Sequence, residues 1–385
     1  MTTNLGRYEV RGLRRFRQLL HAYPEVSAQE RETAKRIYDW LTYCEPDFIA
    51  TDIGGHGLLA GFDMGAPGPS IMFRADMDAL PIPDKITTHY ASRHPGVGHK
   101  CGHDGHAAIQ AGMARLMSER PFNKGQVWIL FQPAEETGAG AAAVLDDAFF
   151  ESHRPDWVFG LHNLPGFPLG QILTRDEVFA VASVGLRLDF EGQTAHAAHP
   201  LQANSPAGAL SALASSWYAV PHPRIDADSW VLQTITHMKL GEPTFGTTPG
   251  IAVMQCTLRA DRDQALERYK QRMLGQAQRV ADSFGLKMHY DWKEAFPVTR
   301  NHQEAVTCIR QAATQAGLDQ MTLPNYFRWS EDFGHYTRHF PGAFFGLGSG
   351  IHQPPLHHMT YDFPDDAIPY GMATFHGIAQ QILNS

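Results

Sequence analysis

Residues 71–81 read IMFRADMDALP. The first seven form a short, largely apolar run, and two aspartates, Asp76 and Asp78, close it. A run bounded this way predicts a strand buried on both faces. GQVWILFQ (125–132), DWVFGLH (156–162) and GAFFGLG (342–348) share the pattern, and helix formers over 104–119 and 139–150 separate several of the strands. Strand and helix in alternation predict an α/β fold: a mostly parallel sheet with helices on both faces. Nearer the start, Ser27 and Glu30 carry a capping-box signature, so a helix is expected over 27–43.

Between 182 and 292 the texture changes. SVGLRLDFEG reads as a strand, 205–218 as an Ala-rich helix, WVLQTITHMKL and GIAVMQCTLRA as strands, 263–283 as a long helix and GLKMHYDW as a last strand. This β-α-β-β-α-β order predicts a ferredoxin-like α+β domain. It is expected as an insertion, residues 182–292, into a larger domain made of 1–181 and 293–385.

Composition narrows the function classes. Net charge is −8 and no basic run exists beyond scattered arginines near the start, so nucleic acid is not an expected partner. Apolar residues make up 43% and charged residues 19%, and no stretch reaches the roughly 18 uninterrupted apolar residues of a membrane helix. Near the start, Glu9 and Glu25 interrupt any targeting pattern, and no apolar core with a cleavage site follows. Cys44, Cys101, Cys256 and Cys308 lie far apart, which suggests reduced thiols and a cytoplasmic protein.

The polar residues gather where the predicted strands end. Asp76 and Asp78 close the first, Glu135 and Glu136 follow the second in FQPAEETG, and His162 ends the third in GLHN. In open α/β sheets, ligands collect at the carboxyl ends of strands. GHKCGHDGHAA (98–108) adds three histidines, a cysteine and an aspartate. Cys101 and His103 are two apart, and in an extended segment such side chains share a face. A thiolate, an imidazole and carboxylates make a ligand set for Zn²⁺ or a related ion. A redox reading needs a second nearby thiol, and C-x-x-C does not occur. Adjacent glutamates are often only solvated surface, but the apolar WILFQPA before them argues against that here. One can bind metal while its neighbour takes a proton from water. Glycines in EETGAGAAAVL form no nucleotide loop, since both G-x-G-x-x-G and a Walker lysine are missing.

RRFRQLLHAYPEVSAQERETA, RADMDALP, HKCGHDGHAA, FQPAEETGAGA, GLHN, TAHAAHP, SEDFGHY, PGAFFGLGSG and HHMTYDFPDDAI, in this order, resemble the dinuclear metallopeptidase family of aminoacylases and carboxypeptidases. The similarity runs from about Arg14 to Ile368 and is strongest to the branch of hippurate hydrolases and indole-acetyl-amino-acid amidohydrolases. The resemblance implies two divalent metal ions, Zn²⁺ or Mn²⁺, Co²⁺ or Ni²⁺, held by Cys101, His103, Glu136, His162 and His357. His352 is read as loop. Glu135 resembles the general base, and Asp78 the carboxylate that orients a ligand. No G-x-S-x-G elbow supports a serine nucleophile. His99 and His106 are as readily packing residues as catalytic ones.

By the same resemblance the inserted domain is a lid that often forms a dimer contact, and His196 in TAHAAHP matches a histidine that stabilises the oxyanion, from its own or a partner subunit. This lid departs from the pattern. Gly246, Thr247, Thr248 and Pro249 stand where relatives carry N-V-I-P, and Ala203, Asn204, Ser205 and Pro206 stand in place of G-x-D-P. The resemblance thus implies a metal-dependent amidohydrolase acting on N-acyl amino acids or similar small carboxylate-bearing amides. A dipeptidase or small-peptide carboxypeptidase with the same centre is the alternative.

Overall fold

The computed structural model describes residues 7–219 and 228–384. The first six residues, part of the stretch weighed for targeting, lie outside the described residues. Among these, no helix is long and apolar enough to cross a membrane.

The chain forms two compact units. One runs to Phe179 and resumes at Thr299–Tyr326 and from Asp332 onward; the other is Ala180–Val298 with Phe327–Glu331. The strands that build them are β1 (Phe48–Ile53), β2 (Gly57–Asp63), β3 (Ala66–Asp76), β4 (Lys124–Gln132), β5 (Trp157–Pro165), β6 (Ile172–Thr174), β7 (Ala182–Glu191), β8 (Val231–Leu240), β9 (Ile251–Ala260), β10 (Lys287–Phe296), β11 (Gln320–Thr322) and β12 (Gly342–Gly350).

In the first unit the sheet order is β1-β2-β4-β3-β5-β12-β6-β11. The central strands β4, β3, β5 and β12 are mutually parallel, while β1, β2 and β6 introduce antiparallel pairs at the flanks. Successive residues of β3, β4, β5 and β12 are buried, so both faces are covered, as the apolar runs require. Phe73 of β3 and Phe345 of β12 meet Phe375 of the helix Ile368–Leu383, with ring centroids 4.9 and 5.4 Å apart. Because the four central strands point the same way, their carboxyl ends share one rim.

A buried charge network ties that rim together. Arg74 projects from β3, donating to Gln132 Oε1 (2.9 Å), Asp76 Oδ2 (2.6 Å) and Asp332 Oδ1 (2.7 Å). Asp332 also accepts from Gln132 Nε2 (2.7 Å) and from the amide of Ala141 (2.8 Å). A buried ion pair is retained at little cost only when its remaining donors and acceptors are met, as they are here.

In the second unit the order β8-β9-β7-β10 is antiparallel throughout. Burial alternates along β7 and β9, so a single face is covered, by the helices Ala207–Ala219 and Asp263–Ser283. Trp217, Tyr269 and Met273 lie in the core between helices and sheet.

The helix expected over 27–43 runs instead from Arg31 to Thr42, and Glu30, at its N-cap, makes no side-chain cap bond. The capping signature is taken over by tertiary contacts. Ser27 Oγ donates to Asp78 Oδ2 at 2.7 Å, and buried Glu30 accepts from the amide of Ala134 at 2.8 Å. Both polar groups therefore support the rim rather than the helix.

Candidate metal centre

Each predicted ligand reaches the rim by a different local route. Cys101 lies in the loop before the helix His103–Met117, whose N-cap is Gly102 at φ +91°. The segment is therefore not extended, and the shared-face argument for Cys101 and His103 does not hold. A left-handed turn brings them together instead. It needs glycine on two counts, because φ is positive and a Cβ at Gly102 would lie 1.9 Å from Asn163 Oδ1. His162 comes from β5, which continues past it to Pro165. Glu135 and Glu136 follow β4 in a turn entered through Ala134 at φ +53°. His357 comes from the stretch after β12 and itself sits at φ +65°.

Of the triads of ligand atoms among the described residues, two share Cys101, namely Cys101 with His103 and His162, and Cys101 with Glu136 and His357; a further triad joins His103, Glu135 and Glu136. Cys101 Sγ lies 3.4 Å from His162 Nε2. His103 Nε2 lies 3.8 Å from Glu136 Oε1 and 4.0 Å from Glu135 Oε2, and His357 Nε2 lies 3.8 Å from Glu136 Oε2. The carboxylate–imidazole gaps exceed hydrogen-bond length but suit two donors that share an ion at about 2.0–2.2 Å from each.

The histidines are oriented from behind. His103 directs Nδ1 at the carbonyl of Asp78 (2.9 Å) and at its Oδ1 (3.2 Å), which leaves Nε2 as the forward atom. His162 donates from Nδ1 to the carbonyl of Asn163 at 2.8 Å. Such partners fix tautomer and ring orientation in metal sites. Asp78 Oδ2 accepts from Ser27 Oγ and, at 3.0 Å, from the amide of Glu136, so one carboxylate braces ligands on two segments.

His106 is used differently. Its Nδ1 donates to Asp76 Oδ1 at 2.6 Å and its Nε2 accepts from the amide of Asn163 at 3.1 Å, so neither nitrogen remains for an ion. Asp76 in turn is held by Arg74. Asn163 completes the frame by donating from Nδ2 to the carbonyl of Cys101 at 3.1 Å.

The electrostatics fit cations. Burial pushes the Cys101 thiol well above its ordinary range, and Glu136, Glu135 and Asp76 push the same way. Burial also raises Glu136, to about 7. Burial would depress His103, but Asp76, Asp78 and Glu136 outweigh it and lift the imidazole to about 10. Burial opposes ionisation of Asp78, yet its bonds with His103 hold it below the usual carboxylate range. His162, buried beside His106, is driven well below 6.5 and stays neutral, the ligating form. A field that binds a proton this firmly at His103 also favours a divalent ion before Nε2. Two buried atoms aimed into the gap, His103 Nε2 and Glu136 Oε1, have no hydrogen-bond partner. Buried polar atoms are rarely left so, and an ion satisfies both. Thiolate, imidazole and carboxylate together are a zinc-type donor set.

Sequence reading missed Ser27, Glu30, Arg74, Asn163 and Asp332 as supports. Arg74 in RADMDALP, Asn163 in GLHN and Asp332 in SEDFGHY lie inside the motifs named above, and Ser27 and Glu30 carry the capping signature. His352 lies in the turn after β12 and belongs to neither triad.

His196 lies in the second unit, on the two-residue strand Ala195–His196, and is exposed. It pairs with Thr247, inside the departing segment Gly246–Pro249. The amide of Ala198 donates to His196 Nδ1 at 3.0 Å, which leaves the ring proton on Nε2 as a donor.

Several known proteins are similar to this chain over nearly its whole length. An N-acetyl-L-cysteine deacetylase of Bacillus subtilis (strain 168) is 32% identical over 376 residues, covering 96% of this chain and 88% of the relative. An N-acetyldiaminopimelate deacetylase of Exiguobacterium sibiricum is 30% identical over 365 residues, covering 92% and 95%. Among solved structures, a dinuclear metal-binding peptidase of the M20 family from Bacillus subtilis superposes with a TM-score of 0.82 at 26% identity, covering 99% of this chain and all of that one. The pattern of peptidase family M20/M25/M40 matches residues 72–381. With the donor sets described, these likenesses make the chain an amidohydrolase whose rim suits two divalent ions, and it belongs to peptidase family M20/M25/M40.

Proposed function

We propose that this protein removes the acyl group from N-acyl amino acids, with Cys101, His103, Glu136, His162 and His357 holding two divalent ions and Glu135 acting as general base. The observation that carries the reading is the placement of two adjacent carboxylates against one imidazole nitrogen, Glu136 at 3.8 Å and Glu135 at 4.0 Å from His103 Nε2. Glu136 also approaches His357, whereas Glu135 belongs to neither of the triads that share Cys101. That asymmetry supports different jobs for the pair.

When bound, the ions polarise the scissile carbonyl and bring a water pKa towards roughly 7. Glu135 then takes a proton from the attacking water and returns it to the departing amine, a shuttle that needs only one carboxylate within reach of both. Asp78 keeps His103 pointing forward, and Asn163 and Ser27 keep the supporting backbone in place. His196 would donate Nε2–H to the oxygen that becomes negative. His196→Ala should therefore lower kcat about 10²- to 10³-fold while metal content is unchanged. Loss of bound ion from that variant would show that the residue acts elsewhere.

The deacetylase relatives act on N-acetylated amino acids by their names, which supports a small acyl group. The changed Gly246–Pro249 segment sits beside His196 in the strand pairing, so substrate preference is where this chain should differ from them. The direct test is a kinetic panel of acetyl- and benzoyl-amino acids beside dipeptides, with Zn²⁺, Mn²⁺, Co²⁺ and Ni²⁺ added separately. Faster turnover of dipeptides than of every N-acyl amino acid would replace the proposed activity with peptidase action at the same centre. Four unpaired thiols support a reducing, cytoplasmic setting. Met238 and Leu240, exposed on the edge strand β8, support self-association through the second unit.

A further inference from the structure

Lys100 is fully buried, a position that primary amines occupy only when paired. Its Nζ donates to Asp84 Oδ1 at 2.5 Å and to the carbonyl of Tyr361 at 2.9 Å. Its own carbonyl accepts from the amide of His357 at 2.7 Å. One residue thus grips the 357–361 segment at both ends while its chain neighbour is Cys101. Asp84, the counter-charge, is held in place by the amides of Ile86 (3.1 Å) and Ser92 (2.8 Å), and the amide of Lys85 bonds the carbonyl of Met359 at 2.9 Å.

His357 depends on such a grip more than the other ligands do. Its side chain is 52% exposed and it sits at φ +65°, a conformation that costs a non-glycine residue energy and persists only when surroundings impose it. His103 and His162 are fixed by Asp78 and Asn163 instead, and the carbonyl of Cys101 is fixed by the Asn163 side chain. Lys100 touches none of these three supports.

We propose that Lys100 is a positioning residue for one half of the centre, the triad Cys101, Glu136 and His357. This inference rests on the metal-binding reading above. Loss of the ammonium group releases the Tyr361 end of the 357–361 segment, leaves His357 held in its left-handed conformation by backbone bonds alone, and weakens the ion that His357 helps to hold. The ion at Cys101, His103 and His162 is left nearly unaffected.

The test is titration of the metal-stripped full chain with Co²⁺ alone, following thiolate-to-metal absorption and the number of ions bound. Wild type should bind two ions. Lys100→Met should keep the first, with its thiolate band, and bind the second about 10- to 100-fold more weakly, the range seen when an outer partner of a ligand is lost. His357→Ala should lose the same ion, and adding Lys100→Met to it should cost nothing more, since both act on one element. Should Lys100→Met fail to fold, Lys100→Met with Asp84→Asn leaves neither charge buried alone and carries the same expectation. Two ions bound with wild-type affinity, or both weakened equally, would overturn the assignment. A wild-type chain that binds fewer than two ions would instead sink the metal-centre reading itself.

Discussion

Glu135→Ala is expected to keep both ions and to lose turnover by about 10²- to 10⁴-fold, the usual contribution of a positioned general acid–base group. Metal should stay because the two triads that share Cys101 are complete without Glu135. Turnover should fall because the other carboxylates near His103 Nε2 are committed elsewhere, Glu136 to His357 and Asp76, at 3.7 Å, to Arg74 and His106. Glu135→Gln preserves size and polarity but cannot accept the proton, so it should fall nearly as far. Metal content and kcat measured on the same preparations decide the point. Full activity in either variant would remove Glu135 from the mechanism, while loss of an ion would recast it as a ligand.

A second large effect is expected at Cys101. It is the one residue common to both triads, so Cys101→Ala should weaken both ions, each by more than the roughly 10- to 100-fold that follows loss of an outer partner. Activity should disappear at metal concentrations that saturate wild type and return in part as metal is raised. Cys101→Ser should fall between the two, because a hydroxyl is a poorer donor than a thiolate to a borderline-soft ion. Equilibrium dialysis against limiting Zn²⁺ measures both affinities. One ion held at wild-type strength would show that the sulfur serves a single site.

Much of this centre was legible in the chain itself, for a physical reason. Parallel strands buried on both faces must be nearly all apolar, so polar residues in or just after them stand out, as Asp76 does at the end of β3, Asp78 just after it and His162 within β5. The supports were not legible, because they are long-range. Arg74 stands in an apolar run and finds Asp332, 258 positions later, only when β3 and the segment before β12 are in place. Ser27 and Glu30 carry a signature that a local helix cap would satisfy equally well, and tertiary bonds to Asp78 and Ala134 take them instead. Nothing in the sequence singles out Lys100, whose burial depends on bonds to the distant 357–361 segment. At Cys101 and His103 the expected proximity came about through a left-handed glycine rather than an extended segment.

The most direct test of the metal centre is anomalous diffraction from crystals grown with Zn²⁺. The arrangement predicts two peaks, both bonded to Cys101 Sγ, one also bonded to His103 and His162 and the other to Glu136 and His357. A single peak, or peaks that leave Cys101 and Glu136 unliganded, would contradict it.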